Sequence, residues 1–215
     1  MPGIIDIYSD MIKKKISGLL IAAGLSKRMG DFKPLMDYNN NPFIVLITKK
    51  LLDVCENVII VTGHKSIEVE DTIKFAFIEN NLFPRVKIIV NPDYEKGMFC
   101  SLQTGLKELS DADWVLFHFV DQPFHKEKFY KEFISQLDEK YDWIQPIFEE
   151  KEGHPVMFKK TIFEKIISSP ENHILRLIRD DGLTKKKNWN CTYPQILKDF
   201  DTPEDLKLFQ ARLTN

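Results

Sequence analysis

The chain has 215 residues, of which 43% are hydrophobic and 29% are charged, a composition typical of a soluble globular protein with one large domain or two small ones. Its 30 Lys and Arg nearly balance its 32 Asp and Glu, giving a formal charge of −2. This balance argues against a general nucleic-acid-binding protein, which carries a basic excess. The 3 cysteines form no Cys-x-x-Cys pair, so we expect neither a disulfide framework nor a thiolate zinc site, and we expect a cytoplasmic protein.

The amino-terminal region resembles a secretory signal, because three lysines follow Met11 and precede an apolar run over 16–25. The run then stops at Ser-Lys-Arg and is too short to span a bilayer. We therefore interpret it as a buried first strand and expect no membrane association. We treat residues 1–15 as an N-terminal extension, with Met11 as the expected biological start, and residues 16–215 as a single domain.

The rest of the chain alternates short apolar runs with segments of helical period, which predicts βαβ units and a mostly parallel sheet. Strands are predicted over 16–23, 57–62, 86–90, 114–120, 143–148, 155–158 and 188–193. Helices are predicted over 41–54, 66–80, 101–109, 129–137, 161–167, 174–179 and 203–213. The fold class is therefore α/β, and ligands of such sheets bind beyond the carboxyl ends of the strands.

The loop after the first predicted strand combines Gly24 and Gly30 with three cations, Lys27, Arg28 and Lys33. Glycines permit a tight turn that exposes N–H groups to an anion. Arginine grips phosphate oxygens with two hydrogen bonds, and lysine adds a point charge. The spacing matches neither Gly-x-x-x-x-Gly-Lys-Ser/Thr nor Gly-x-Gly-x-x-Gly. The loop predicts a polyphosphate site, and an ordinary turn with solvated lysines is the alternative.

Three further positions carry polar residues near predicted element ends. Ser101 stands where a helix is predicted to begin and is a candidate N-cap. Asp121 follows a very apolar run, where it could hold Mg²⁺ or cap the next helix. Asp201 precedes Thr202, which we predict to cap a helix whose first turn contains Pro203 and acidic residues.

The first loop also carries a family resemblance. Residues 21–30 read Ile-Ala-Ala-Gly-Leu-Ser-Lys-Arg-Met-Gly, and Lys-Pro-Leu follows at 33–35. This sequence resembles the signature of Rossmann-like nucleotidyltransferases and, more narrowly, of molybdenum cofactor cytidylyltransferases. Shorter matches are Val-Thr-Gly-His at 61–64, the loop at 91–106, Asp-Gln-Pro at 121–123, Gly-His-Pro at 153–155 and the segment 199–206. The resemblance implies a three-layer Rossmann-like nucleotidyltransferase fold.

The resemblance also implies roles for individual residues. The first loop would wrap the triphosphate of CTP, with Arg28, Lys33 and Asp121 as the catalytic residues. Asp121 and Asp201 would hold Mg²⁺, with Asp199 in support. The implied nucleotide-binding residues are Ala22, Ala23, Gly24, Ser26, Lys27, Arg28, Gly30, Lys33, Gly97 and Ser101.

The implied reaction transfers CMP from CTP to molybdopterin and releases pyrophosphate. His154 and Pro155 of the Gly-His-Pro segment would bind the acceptor. The family's Gly-Asp-x-Gly-x-Arg run is replaced here by an unrelated sequence over 168–179, in which Arg176 and Arg179 are candidates for the missing cation. The chain also has Phe and Cys at 99–100, where the family often has serines.

These departures leave three alternatives open. The first is the same chemistry with GTP or with another acceptor. The second is a sugar-phosphate nucleotidyltransferase. The third is a non-catalytic accessory protein that binds a nucleotide or pterin and makes transient contact with a molybdenum hydroxylase.

Overall fold

The computed structural model describes residues 14–38, 40–202 and 204–205. The strands are β1 (Ile16–Ala22), β2 (Asp37–Tyr38), β3 (Asn41–Pro42), β4 (Asn57–Thr62), β5 (Val86–Val90), β6 (Trp114–Phe119), β7 (Trp143–Phe148), β8 (Lys151–Glu152), β9 (Val156–Lys159) and β10 (Lys186–Asn190). The α-helices are α1 (Phe43–Leu52), α2 (Ser66–Phe77), α3 (Met98–Leu106), α4 (Glu127–Ile134), α5 (Lys160–Ser168) and α6 (Leu175–Arg179). Short 3₁₀ turns cover Lys33–Leu35, Phe83–Arg85, Tyr94–Lys96 and Pro194–Leu197.

The main sheet runs in the order β10-β7-β9-β6-β1-β4-β5, with β8 paired to β7. β1 pairs in parallel with both β4 and β6, and β5 extends the parallel set beyond β4. β9 is antiparallel to both of its neighbours, β6 and β7. The predicted α/β class with a mostly parallel sheet is confirmed. β2 and β3 form a separate small hairpin.

Helices cover both faces of the sheet, because successive side chains of each strand point to opposite faces. In the central strand β1, Leu20 and Ala22 face one core, to which α1, α2 and α4 contribute. Leu19 and Ile21 face a second core, to which α3, α5 and α6 contribute. The architecture therefore has three layers, as the resemblance implied, and it fixes the carboxyl ends of β1, β4, β5 and β6 along one edge.

Several predicted boundaries are wrong, and one prediction falls largely outside the described residues. The helices predicted over 41–54, 66–80 and 129–137 run over 43–52, 66–77 and 127–134. α3 begins at Met98 and not at 101, because Gly97 caps it with φ of 115°, a conformation that glycine adopts without strain. Ser101 therefore lies inside the helix and is not an N-cap. β10 spans 186–190 and not 188–193. Of the helix predicted over 203–213, only residues 204–205 are described, and both are helical.

Two histidines are buried where β6 meets α4. His118 donates from Nδ1 to the carbonyl of Phe119 at 2.7 Å, so its Nε2 accepts from the hydroxyl of Tyr130 at 2.8 Å. Burial lowers the pKa of His118 to about 3. His125 stacks on Phe129 with ring centroids 4.8 Å apart, and burial holds its pKa well below the usual range. Neither ring nitrogen of His125 has a hydrogen-bond partner among the described residues.

We expect His125→Phe to raise the free energy of unfolding by about 1–2 kcal/mol at pH 7, because it removes two buried nitrogens that lack partners. The matched variant His118→Phe should lower the free energy of unfolding, because it breaks two hydrogen bonds. Urea titrations of both variants measure these changes.

His125→Phe should also change how the free energy of unfolding depends on pH. The unfolded imidazole binds a proton near pH 6.5, whereas the folded one stays neutral until the pH is far lower. As pH falls below 6.5, each such histidine therefore costs the folded state about 1.4 kcal/mol per pH unit. His125→Phe should remove one such contribution between pH 6.5 and 5, and an unchanged pH slope would contradict the neutral buried state.

Candidate active site

A cleft of about 410 Å³ opens at the carboxyl edge of the parallel strands. The loops after β1, β5 and β6 form its walls, and a segment near residue 201 closes one side. The lining residues are Ile21, Ala23, Gly24, Ser26, Lys27, Arg28, Lys33, Tyr94, Gly97, Met98, Ser101, Phe119, Val120, Asp121 and Asp201. This is the position at which ligands bind in open α/β sheets.

The loop after β1 is held in a closed turn by its own backbone and by one buried side chain. Ser26 has φ of 53°, its carbonyl accepts from the N–H of Met29 at 3.0 Å, and its hydroxyl accepts from the N–H of Lys33 at 3.0 Å. Met29 is only 1% exposed and anchors the turn in the interior. The side chains of Lys27 and Arg28 are left exposed at the rim of the cleft.

The buried ammonium of Lys33 lies between the two aspartates of the cleft. Lys33 Nζ is 2.5 Å from Asp201 Oδ1 and 3.6 Å from Asp121 Oδ2. Arg28 Nη2 lies 2.8 Å from the other carboxylate oxygen of Asp201. The N–H of Phe200 donates to the carbonyl of Asp121 at 2.9 Å, so the segment that carries Asp201 is also tied to the loop after β6 by its backbone.

A reciprocal cap fixes the turn that carries Asp201. The N–H and the hydroxyl of Thr202 both donate to Asp205 Oδ2 at 2.8 Å, and the N–H of Asp205 lies 3.3 Å from the Thr202 hydroxyl. The N–H of Asp201 donates to the same Asp205 oxygen at 3.1 Å. The prediction of Thr202 as a cap is confirmed. The carboxylate of Asp205 thus also holds the backbone of Asp201.

The two aspartates suit a divalent cation. Burial raises the pKa of Asp121 to about 6; Lys33 opposes this shift, and Asp199 and Asp201 add to it. Asp199 and Asp201 therefore bring further negative charge close to Asp121, and Lys33 offsets part of it. Magnesium is commonly held by one or two carboxylates together with substrate phosphates, and the described residues contain no larger cluster of His, Cys, Asp and Glu that could hold a metal. Asp121 does not cap α4, whose N-cap is Lys126.

A glycine is required behind the opposite wall of the cleft. A Cβ atom at Gly63 would lie 2.4–2.7 Å from ring and side-chain atoms of Tyr94, which itself lines the cleft. The neighbouring His64 is half-buried, with its ring in edge contact with Phe32 at 5.4 Å. The Val-Thr-Gly-His segment therefore supports the cleft from behind, and Tyr94 is a wall residue that we did not single out from the sequence.

The two segments that depart from the family pattern contact each other. The ring of Phe99 meets that of His173 with centroids 5.7 Å apart. Lys96 Nζ lies 3.0 Å from Glu171 Oε2, and the side-chain amide of Gln103 donates to the carbonyl of Ser169 at 2.7 Å. Phe99 and the neighbouring side chains of Lys96 and Gln103 thus pack against residues 169–173 of the unusual segment.

Neither candidate for the missing cation reaches the cleft. Arg179 Nη1 lies 2.5 Å from Glu152 Oε2, and Arg179 Nη2 lies 2.6 Å from Asp180 Oδ2. The side chain of Arg176 is 79% exposed and lies 3.8 Å from Asp180. Both arginines belong to a peripheral ion-pair network and are absent from the cleft lining.

The structure brings ten of the fourteen predicted site residues to the cleft. Of the other four, Ala22 is buried at the end of β1, and Gly30, with φ of 79°, lies in the loop but is absent from the lining. His154 and Pro155 do not line the cleft either, because the ring of Phe119 stands in front, 5.0 Å from the ring of His154. The lining residues that we did not predict are Ile21, Tyr94, Met98, Phe119 and Val120. Ile21, Phe119 and Val120 lie at or next to strand ends, whereas Tyr94 and Met98 lie in the loop at 91–106 that carries part of the family resemblance.

Fold and cleft together define an α/β nucleotidyltransferase. Residues 18–185 match the MobA-like NTP transferase domain, and the chain belongs to this family. It is 26% identical over 202 residues to the molybdenum cofactor cytidylyltransferase of Escherichia coli, covering 93% of this chain and 97% of that protein. It is 27% identical over 157 residues to a probable molybdenum cofactor guanylyltransferase of Bacillus cytotoxicus, covering 71% of this chain and 73% of the relative. The family resemblance seen in the sequence is confirmed.

Solved structures show the same fold. A nucleotidyl transferase from Methanothermobacter superposes with a TM-score of 0.75 at 19% identity, covering 94% of this chain and 99% of that chain. A Mycobacterium tuberculosis protein in complex with manganese superposes with a TM-score of 0.72 at 17% identity, covering 91% of this chain and 97% of the other. Within the described ranges of this chain, no helix is long and apolar enough to cross a membrane.

We expect Gly63→Ala to lower the free energy of unfolding by about 1–3 kcal/mol, because the added methyl group must displace Tyr94 or the backbone. In the Tyr94→Ala background the same change should cost much less, since the ring that it meets is gone. Urea denaturation of the two single variants and the double variant measures this coupling. Equal costs of Gly63→Ala in both backgrounds would show that Tyr94 is not the obstacle.

Proposed function

We propose that this protein transfers CMP from CTP to molybdopterin, releases pyrophosphate and depends on Mg²⁺. The observation that carries the proposal is the Lys33 ammonium shared by Asp121 and Asp201, beside a cationic loop at the carboxyl edge of the sheet. Support for CTP over GTP comes from the length of the match: the cytidylyltransferase relative aligns over 93% of this chain, and the guanylyltransferase relative over 71%. The three free cysteines suit a reducing cytoplasm.

The transfer is a displacement at phosphorus. An oxygen of the acceptor phosphate attacks the α-phosphorus of CTP, and the bond from that phosphorus to the pyrophosphate oxygen breaks. Such a reaction needs in-line positioning and neutralisation of charge more than covalent help from the protein. Arg28, Lys33 and the N–H groups of the loop would stabilise the leaving pyrophosphate. Asp121 and Asp201 would hold Mg²⁺, which supplies neutralisation of the phosphate charge.

The paired charges of the cleft explain how substrate can enter. Arg28 and Lys33 both contact Asp201, so carboxylate oxygens occupy positions at these cations that phosphate oxygens can take. The side chain of Arg28 is 74% exposed and can turn toward a triphosphate without breaking the core. Lys33 is only 8% exposed and acts from a fixed position.

The acceptor would meet a mainly apolar wall. Phe119 and Val120 add apolar surface to the cleft, and such side chains suit a flat heterocycle such as a pterin. His154 and Pro155 lie behind Phe119, so we propose that they position this ring and that Phe119 is the residue in contact with the acceptor. No comparison or contact supports docking of a molybdenum hydroxylase, and we do not propose it.

Removing either charge from the reaction centre should abolish most turnover. We expect Arg28→Ala and Asp121→Ala each to lower kcat by about 10²–10³-fold, while the unfolding transition stays near that of the native protein. Arg176→Ala and Asp111→Ala are the matched controls, because both remove an exposed charge outside the cleft. Steady-state pyrophosphate release gives the rates. Near-native turnover in either cleft variant would contradict the assigned roles.

A panel of the four nucleoside triphosphates tests the substrates directly. With Mg²⁺ and molybdopterin, CTP should give the fastest release of pyrophosphate and a product whose mass is that of the cytosine dinucleotide form. Faster turnover with GTP would assign the chain to the guanylyltransferases. Turnover only with a hexose or polyol phosphate as acceptor would favour a sugar-phosphate enzyme, and nucleotide binding without turnover would favour an accessory protein.

A further inference from the structure

The loop between β5 and α3 contains a buried asparagine to which the reaction described above gives no role. Asn91 is 2% exposed, and its backbone N–H donates to the carbonyl of Thr62 at 2.8 Å. Its side chain connects the loop to the helix, because it contacts both Asp93 and Ser101. A buried amide has two donors and an acceptor to satisfy, so its orientation has consequences for both neighbours.

The orientation of the Asn91 amide is fixed by its neighbours. The backbone N–H of Asp93 donates to Asn91 Oδ1 at 3.0 Å. A backbone N–H can only donate, so the oxygen of the amide must face Asp93 and the nitrogen must face the other way. Asn91 Nδ2 therefore points at Ser101 and donates to its Oγ at 3.0 Å.

This bond directs the proton of the Ser101 hydroxyl. Ser101 is 1% exposed and lines the cleft. Other helical hydroxyls of this chain donate to the carbonyl four residues earlier, as Thr104 does at 3.0 Å and Ser168 at 2.7 Å. In the described part of the chain, no such bond is donated by Ser101 Oγ, which only accepts from Asn91. Its proton is therefore available to a molecule in the cleft.

We propose that Asn91 is a positioning residue that holds the Ser101 hydroxyl as a hydrogen-bond donor toward the base of the bound nucleotide. The inference rests on the proposed function only in that a nucleoside triphosphate occupies this cleft. The backbone N–H groups of Met98 to Cys100, in the first turn of α3, are further hydrogen-bond donors, because they have no acceptor within the helix. This end of the cleft offers donors, which suit the adjacent O2 and N3 acceptors of cytosine. Guanine presents the N1–H and N2–H₂ donors on its corresponding edge.

The variant Asn91→Asp reverses the polarity with almost no change of shape. A carboxylate at this position accepts from the N–H of Asp93 and also from the Ser101 hydroxyl, whose proton then turns away from the cleft. Loss of one hydrogen bond should weaken CTP binding about tenfold, measured by titration calorimetry without acceptor. Ser101→Ala should cause a similar loss, and the double variant should lose no more than either single variant.

The double variant Asn91→Asp, Ser101→Ala distinguishes two causes of weaker CTP binding: the reversed direction of the Ser101 hydroxyl and the added negative charge. If the new carboxylate acted by repelling the triphosphate, its effect would persist without the hydroxyl, and additive losses would overturn the proposal. Asn190→Asp, at an exposed site away from the cleft, controls for the added charge and should bind CTP as the native protein does. If Asn91→Asp does not fold, Asn91→Ala serves: it frees the hydroxyl to rotate, so we expect a smaller loss that also vanishes in the Ser101→Ala background.

Binding without turnover keeps this inference separate from the proposed function. A native protein that binds CTP but transfers no CMP would refute the enzyme and leave the role of Asn91 supported if the variants behave as stated. Native-like CTP binding by Asn91→Asp, or no nucleotide binding by the native protein, would overturn the inference. The same penalty with 2′-deoxy-CTP supports a contact to the base, and a penalty that disappears with 2′-deoxy-CTP overturns it.

Discussion

One buried ammonium group organises the cleft. The Lys33 side chain joins the loop after β1 to Asp121 after β6 and to Asp201 in the closing segment. A lysine that is 8% exposed without these carboxylates would be strongly unfavourable, because an unpaired charge loses its hydration on burial. Asp201, 2.5 Å from the ammonium, supplies the closer compensation, and Asp121 adds to it from 3.6 Å. This set of charges contains both the cations that would bind phosphate and the anions that would bind a divalent metal under the proposed function.

The sheet gives this set its rigid frame. All seven residues of β1 are buried, and the strand lies between β4 and β6, so the loop that follows it starts from a fixed point. The second wall is held differently: Tyr94 lies against Gly63, and Asn91 connects its loop to α3. The wall formed by the loop after β1 thus depends on charge pairing. The wall formed by the loop after β5 depends on close packing and on the hydrogen bonds of the Asn91 side chain. The phosphates and the nucleoside of a substrate would meet these two walls in turn.

The sequence predicted the strands well and the contacts between distant residues poorly. The bounds 57–62, 86–90 and 143–148 agree with the structure, because each apolar run there is flanked by polar or turn-forming residues. The start of α3 was missed because its cap is Gly97, whose backbone conformation leaves no pattern in the side chains. The pairing of Lys33 with Asp201 spans 168 residues, and only the family resemblance placed both at one site. Nothing in the sequence indicated that Phe119 would stand between His154 and the cleft.

The backbone hydrogen bond from Phe200 to Asp121 has a consequence for how the chain folds while it is being synthesised. Translation delivers Lys33 and Asp121 well before Asp201, so a nascent chain can close most of its sheet while its central lysine has a single distant counter-ion. The charge of Lys33 is fully neutralised only after the segment that carries Asp201 has been synthesised and packs against the loop after β6. A chain that stops short of Asp201 would therefore keep Lys33 with one carboxylate, 3.6 Å away at Asp121, and would lose the closer of the two partners that compensate its buried charge.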